Sequence, residues 1–154
     1  MNALSTVEQN KPFIINGELS VDDRGELMFV NQFNMELVKR FYVVSNHKQG
    51  FIRAWHAHKI ESKYVFIVNG AALISTVKID DWENPSIDII ADKFILTAKK
   101  PSILYIPSGY ANGFKTLSTD TKIIFFSTST LKDSVDDDYR FDAYKWNPWE
   151  IVER

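Results

Sequence analysis

Short apolar segments separated by turn-forming residues recur about every 8–12 residues along the chain. This regular spacing limits the possible folds more than any other feature. β-Branched and aromatic residues dominate segments such as Val38–Ser45, Tyr64–Val68 and Ser102–Ile106, whereas Gly, Pro, Asn or Asp lies between successive segments. No helical periodicity extends beyond about two turns. The pattern therefore predicts an all-β sandwich or barrel.

The length of 154 residues suits a single domain, 1–154, with a sizeable core. Residues 1–11 are predicted to be a loose polar lead-in, and Ile87–Ile90 is expected to be a short strand. The tail, 131–154, starts with the acidic run Asp133–Asp138, which we interpret as a solvated loop. The aromatic residues that follow this run are expected to pack on the barrel as a short helix or as a loop.

Composition excludes several classes of function. The 18 basic and 20 acidic residues are mixed along the chain, so no basic stripe is available to displace counterions from a nucleic acid. The absence of cysteine excludes disulfides, a thiolate nucleophile and cysteine-bound zinc. No segment approaches the roughly 18 apolar residues that a membrane span needs, and no signal peptide is expected from the first residues. A cytoplasmic protein that binds neither membrane nor nucleic acid is therefore expected.

Two histidines provide the strongest chemical signal in the chain. His56 and His58 lie two residues apart in the stretch Gly50–Gly70, and Lys63 opens the next apolar segment. Because side chains alternate between the two faces of a strand, both imidazoles are expected to lie on the same face. Such a group could hold a metal, transfer protons or form an ordinary polar pair, and the pair alone leaves the three interpretations open.

The spacing around the histidines resembles the first motif of the cupins, and Pro107–Gly109 followed by position 112 resembles the second. This resemblance implies an all-β cupin, a jelly-roll barrel or double-stranded β-helix. Lys63 and Asn112 stand where cupins have a metal-binding glutamate and histidine. A protonated lysine has no lone pair to offer, and two imidazoles are too few ligands for a stable site. We therefore predict that the chain uses neither a metal nor another cofactor.

The remaining groups suit acid–base chemistry. A neutral histidine is the commonest general base near neutral pH, and a nearby lysine stabilises negative charge that develops on an oxygen. This combination fits the removal of a proton next to a carbonyl, with the enolate held by the cation. It predicts an isomerase that acts on a keto-sugar without a metal.

The first half of the chain resembles the dTDP-4-keto-6-deoxyglucose 3,4-ketoisomerases. The matching segments are Asp23–Leu27, Lys39–Val44 and Arg53–Lys59, the last of which contains the histidine pair. The resemblance implies that His58 moves the proton between two sugar carbons, with Tyr42 close by.

The second half resembles the dTDP-4-dehydrorhamnose 3,5-epimerases. The matching segments are Tyr105–Phe114 and Tyr139–Trp149. The resemblance implies that His56 is the catalytic base, that Asp142 holds it and that Lys63 lies beside it. It also implies a role in the synthesis of bacterial surface polysaccharides such as O-antigen.

This chain departs from the epimerases at two positions. Phe125 and Phe126 occupy the strand in which those enzymes carry a catalytic tyrosine, and Asn112 replaces a histidine. A 3-epimerisation, a 3,5-epimerisation or a ketoisomerisation stays open, with Tyr42 or His58 as the group that returns a proton.

The same resemblances imply a substrate-binding set and an assembly. Arg24 and Arg53 are associated with the nucleotide and its diphosphate, which suit the fork of a guanidinium group. Asn112 and Arg140 complete the predicted set, and the substrate is expected to be a nucleotide sugar. A homodimer with strands exchanged between subunits is expected.

Two further classes of function compete with an isomerase. A non-catalytic nucleotide-sugar binding module would keep the barrel without turnover. A metal-dependent cupin oxygenase would contain bound iron or zinc.

Overall fold

The computed structural model describes residues 10–154, so most of the predicted lead-in lies outside the described residues. This part of the chain forms twelve strands and one short helix, which confirms the predicted all-β organisation. The strands are β1 (Phe13–Asn16), β2 (Glu18–Asp22), β3 (Gly25–Phe29), β4 (Arg40–Ser45), β5 (Ile52–Ala57), β6 (Lys63–Asn69), β7 (Ala71–Lys78), β8 (Asp92–Thr97), β9 (Ser102–Ile106), β10 (Tyr110–Thr116), β11 (Lys122–Ser127) and β12 (Tyr139–Arg140), and the helix is α1 (Leu131–Asp136).

Two antiparallel sheets of five strands form the body of the fold. The first has the order β1-β9-β6-β11-β4, and the second has the order β12-β5-β10-β7-β8. Strands β2 and β3 form a separate hairpin. Within residues 10–154, no helix is long and apolar enough to cross a membrane.

The main core lies between the inner faces of the two sheets. Alternate residues of β6, β7 and β11 contribute buried side chains to it, including Val65, Ile67, Ile74, Ile123 and Phe125. This alternation is the pattern that strand periodicity predicts, because every second side chain of a strand lies on the same face.

The C-terminal aromatic residues cover the outer face of the second sheet. Trp149 packs 5.1 Å from Trp55 between ring centroids, and Trp146 contacts the edge of the same indole. The ring N–H of Trp55 donates a 2.8 Å hydrogen bond to the carbonyl oxygen of Lys145, and that of Trp149 donates to Ala143. The aromatic tail thus packs on the barrel as expected, and it does so as a series of turns rather than as a helix.

Two local predictions are wrong. Ile87–Ile90 is not a strand. The acidic run Asp133–Asp138 is not a solvated loop, because it includes most of α1 and contains one buried carboxylate. That carboxylate, on Asp137, accepts hydrogen bonds from the backbone N–H groups of Lys59, Ile60 and Glu61.

We expect Trp149→Ala to lower the free energy of unfolding by about 3–5 kcal/mol, because truncating a buried tryptophan leaves a large cavity. Trp149 is 2% exposed and packs against Trp55. Urea denaturation followed by circular dichroism measures the change. Tyr144→Ala is the matched control from the same segment, because Tyr144 is 66% exposed. Equal losses in the two variants would contradict a packing role for the tail.

Candidate active site

A cavity of about 420 Å³ opens between strands β4, β5, β6 and β12 and helix α1. Both histidines of the pair and the lysine that follows them line it, as strand alternation predicts. The lining residues are Arg40, Tyr42, His56, His58, Lys63, Ser134, Val135, Asp138 and Arg140.

His58 is buried and is held at one ring nitrogen. Its Nδ1 lies 2.6 Å from the carbonyl oxygen of Asp137 and 3.2 Å from Oε2 of Glu61. A carbonyl oxygen only accepts hydrogen bonds, so Nδ1 must carry the proton. The other nitrogen, Nε2, is buried and has no hydrogen-bond partner among residues 10–154. The neutral ring therefore keeps an unused lone pair on Nε2.

Glu61 is a site residue that the sequence prediction missed. Its side chain is fully buried and accepts hydrogen bonds from Arg40 at 3.3 Å and from Ser134 at 2.7 Å. The hydroxyl of Ser127 donates a further short bond to it. Its position three residues after His58 is the only signal in the sequence that could have suggested it.

His56 is more accessible than His58, with 40% of its side chain exposed. Its Nδ1 lies 3.7 Å from Oδ1 of Asp138, beyond hydrogen-bond distance but close enough for a charge interaction. Asp138 also accepts a 2.9 Å hydrogen bond from Nε of Arg140. Because Arg140 pairs with His56 in the β12–β5 register, both groups are brought to the same part of the cavity.

Asp142, predicted to orient His56, does not reach it. Its side chain is exposed and accepts a 2.9 Å hydrogen bond from the backbone N–H of Tyr144. The carboxylate thus stabilises a local turn by accepting from the residue two positions later, as aspartates often do in turns. Asp138 therefore occupies the position that the resemblance assigned to Asp142.

The surroundings lower the pKa of both histidines. For His56, burial is the main cause, followed by the positive charges of Lys63 and Arg140, while Asp138 opposes the shift. For His58, burial and then Lys63 lower the pKa, while Glu61 opposes the shift. Both imidazoles are therefore neutral near pH 7, which is the form that can accept a proton.

Lys63 is buried on the inner face of β6, with its Nζ 5.8 Å from the centroid of the Tyr42 ring. It forms no hydrogen bond or ion pair with another described side chain. Tyr42 stacks on Phe125 with 5.3 Å between centroids and 8° between planes. The two rings lie opposite each other in the β4–β11 register, so the phenol of Tyr42 lies on the strand next to the one that carries Phe125.

Three other predicted residues lie elsewhere. Asn112 is buried beside the cavity and donates a 3.1 Å hydrogen bond to the backbone carbonyl of His56, which anchors the histidine strand. Arg53 is exposed and donates to Asn46. Arg24 is exposed on the β2–β3 hairpin, where it pairs with Asp22 at 2.6 Å. Neither arginine lines the cavity within one chain.

Within residues 10–154, no group of three or more His, Asp or Glu side chains is placed to hold a metal ion. Lys63 and Asn112 occupy the two positions where cupins have further ligands.

Comparisons with known proteins agree on one family. The model of the dTDP-4-dehydrorhamnose 3,5-epimerase family matches residues 10–148. The spore coat polysaccharide biosynthesis protein SpsL of Bacillus subtilis is 28% identical over 132 residues, which cover 84% of this chain and 82% of that protein.

Solved structures show the same fold at low sequence identity. The dTDP-4-dehydrorhamnose 3,5-epimerase of Bacillus anthracis has a TM-score of 0.72 and 22% identity, with 92% of this chain and 86% of that chain covered. A 3,4-ketoisomerase from Helicobacter canadensis has a TM-score of 0.64 and 19% identity, with 84% and 90% covered. These similarities confirm the predicted jelly-roll barrel.

We expect the free energy of unfolding to fall as the pH is lowered from about 7 to about 5. The pKa of His58 is lower in the folded chain than its ordinary value of about 6.5, so the unfolded chain binds more protons in this range. The contribution is fully present above that ordinary value and is lost as the pH falls towards the folded pKa. Urea denaturation at several pH values measures the slope.

His58→Gln should reduce this slope and leave the part due to His56, whose pKa is also lowered in the folded chain. A wild-type slope in the His58 variant would contradict the prediction.

Proposed function

This chain belongs to the dTDP-4-dehydrorhamnose 3,5-epimerase family, and from this premise we propose that it epimerises a dTDP-4-keto-6-deoxyhexose at a carbon next to the ketone. The observation that carries the proposal is the cavity in which two neutral histidines lie with a buried lysine. A base and a fixed cation are the two groups that enolate chemistry requires.

His56 is the proposed base, since it is the more accessible imidazole and has a carboxylate beside Nδ1. It removes the proton from the carbon next to the ketone, and the C–H electron pair becomes part of an enolate. The negative charge moves to the ketone oxygen, where Lys63 stabilises it. Asp138 stabilises the imidazolium that forms on His56. Delivery of a proton to the other face of the carbon completes the epimerisation.

The group that returns the proton distinguishes this chain from the epimerases it resembles. Because Phe125 has no hydroxyl, the candidates in the cavity are Tyr42 and His58. Their presence supports epimerisation at one carbon. It also supports a second candidate, a 3,4-ketoisomerase, in which one imidazole removes the proton and another group places it on the neighbouring carbon.

We propose further that residues 1–154 form a single domain that acts in the cytoplasm, without a metal, in polysaccharide synthesis. The name of the SpsL protein supports the last point. Arg140, which lines the cavity, is the proposed contact for the diphosphate of the substrate.

We expect the wild-type chain, incubated in D₂O with a dTDP-4-keto-6-deoxyhexose, to incorporate deuterium next to the ketone, as NMR would detect. His56→Asn should reduce incorporation by about 10²–10⁴-fold, because a general base contributes that much, and it should keep dTDP affinity. His47→Asn is the matched control with unchanged turnover, since His47 is exposed away from the cavity.

Wild-type protein that binds the nucleotide sugar without incorporating deuterium would support the non-catalytic binding module instead. Full turnover in His56→Asn would contradict the assignment of the base.

We also propose that a second copy of the chain completes the site. Strand β4 is an edge strand whose outward side chains Phe41 and Val43 are exposed. The β2–β3 hairpin pairs with no other strand among residues 10–154, and it exposes Val21 and Leu27. Large exposed apolar side chains on strand edges are typical of interaction surfaces. In a strand-exchanged homodimer, the hairpin would bring Arg24 to the cavity of the partner.

Phe41→Glu should shift the protein from dimer to monomer in sedimentation velocity, because it buries a charge in the proposed interface. Ile95→Glu is the matched control, since Ile95 is exposed on the edge strand β8 of the other sheet. Mixing inactive Arg24→Ala and His56→Asn variants should restore turnover, because a mixed dimer contains one intact site. A monomeric wild type, or a mixture without turnover, would contradict the exchange.

A further inference from the structure

Glu61 is a buried carboxylate that the mechanism above does not use. It is 2% exposed, and three side chains on different parts of the chain donate hydrogen bonds to it. The donors are the guanidinium of Arg40 on β4, the hydroxyl of Ser127 on β11 and the hydroxyl of Ser134 on α1, and Nδ1 of His58 lies 3.2 Å from its Oε2. Burying a carboxylate is costly unless such partners compensate, so this arrangement is a specific feature of the site.

These donors are best satisfied by a group that accepts hydrogen bonds and donates none. A carboxylate offers two oxygens with about four lone-pair positions, which is enough for the three donors. A glutamine in the same place would turn one oxygen into an NH₂ group, which would face donors and lose bonds to them. The network therefore depends on the charge of Glu61 as well as on its shape.

The consequence falls on His58. Nδ1–H donates to the carbonyl oxygen of Asp137, and the carboxylate of Glu61 lies 3.2 Å from the same nitrogen, so turning the ring over would break the hydrogen bond and separate the two charges that an imidazolium would bring together. Nε2 is left as a buried acceptor without a partner among the described residues, which is unfavourable. Unpaired buried acceptors are uncommon in folded proteins, and a functional site is one of the recognised reasons for them.

We propose that Glu61 is a positioning residue: its charge, 3.2 Å from Nδ1, stabilises the imidazolium that forms when Nε2 of His58 accepts a proton. This inference rests on the second candidate function above, the 3,4-ketoisomerase, with His58 as the imidazole that removes the proton. Asp137 contributes an uncharged acceptor to Nδ1, whereas Glu61 contributes charge.

Several charged groups around His58 determine how readily it becomes an imidazolium. Lys63 on β6 disfavours the imidazolium, and the neighbouring His56 on β5 would do so when protonated. The carboxylate of Asp137 favours it weakly while it is bound to backbone N–H groups. Arg40 partly offsets the charge of Glu61 from β4. Removing the Glu61 charge therefore leaves His58 facing mainly cations.

The direct test is ¹⁵N NMR of the wild-type chain labelled at its three histidines, with His47→Gln and His56→Asn to assign signals. We expect a pyrrole-type shift for Nδ1 of His58 and a pyridine-type shift for Nε2. In Glu61→Gln, we expect the same tautomer, because the carbonyl oxygen of Asp137 still accepts from Nδ1, and a titration of His58 at lower pH than in the wild type. Circular dichroism checks that the variant folds.

Turnover gives a second readout. Glu61→Gln should lower kcat about 10- to 100-fold with KM changed less than about twofold, because the substrate still binds while the proton acceptor is weaker. The acid limb of the pH profile should move to lower pH. Glu153→Gln is the matched control at an exposed position, and it should match the wild type in every measurement.

A wild-type spectrum with the proton of His58 on Nε2 would overturn the proposal even if Glu61→Gln failed to fold. Wild-type titration and kcat in Glu61→Gln would also overturn it. If the wild type turned over no sugar while the spectra behaved as expected, the proposed function would fail and the positioning of His58 by Glu61 would stand.

Discussion

The contact on which the rest of the site depends is that between Asp137 and the loop after the histidine strand. Its carboxylate accepts three backbone N–H groups, from residues 59 to 61, and its carbonyl oxygen accepts from His58. One residue therefore fixes where the strand ends, which way the imidazole is turned and where Glu61 enters the interior. Without the carboxylate of Asp137, these three N–H groups would have no hydrogen-bond partner, and folded proteins avoid burying such groups.

The features that could be predicted from the sequence are those that depend only on the alternation of side chains along a strand. His56 and Lys63 reach one cavity from their positions in β5 and β6, and the barrel follows from the repeated strand pattern. His58 joins them although it lies one residue past the end of β5. Contacts between distant segments could not be predicted in the same way. Asp137 is 79 residues from His58, and nothing in the acidic run distinguishes Asp137 and Asp138 from their solvated neighbours.

The misplacement of Asp142 has the same origin. Resemblance of motifs assigned the carboxylate beside His56 to Asp142, within Tyr139–Trp149, but a turn at Tyr144 uses Asp142 locally. Asp138 lies just before the matched segment. The short strand β12 instead places residues 138 and 140 near the histidine. Register at the end of a two-residue strand depends on side-chain packing, which sequence periodicity does not report.

The close grouping of His56, His58 and Lys63 limits how many protons the cavity can hold. Lys63 disfavours protonation of each imidazole, and each imidazolium would disfavour the other. A proton on one ring therefore makes protonation of the other less favourable. In the proposed mechanism, this repulsion would favour release of the first proton before the second histidine accepts one, so electrostatics would help to set the order of transfers.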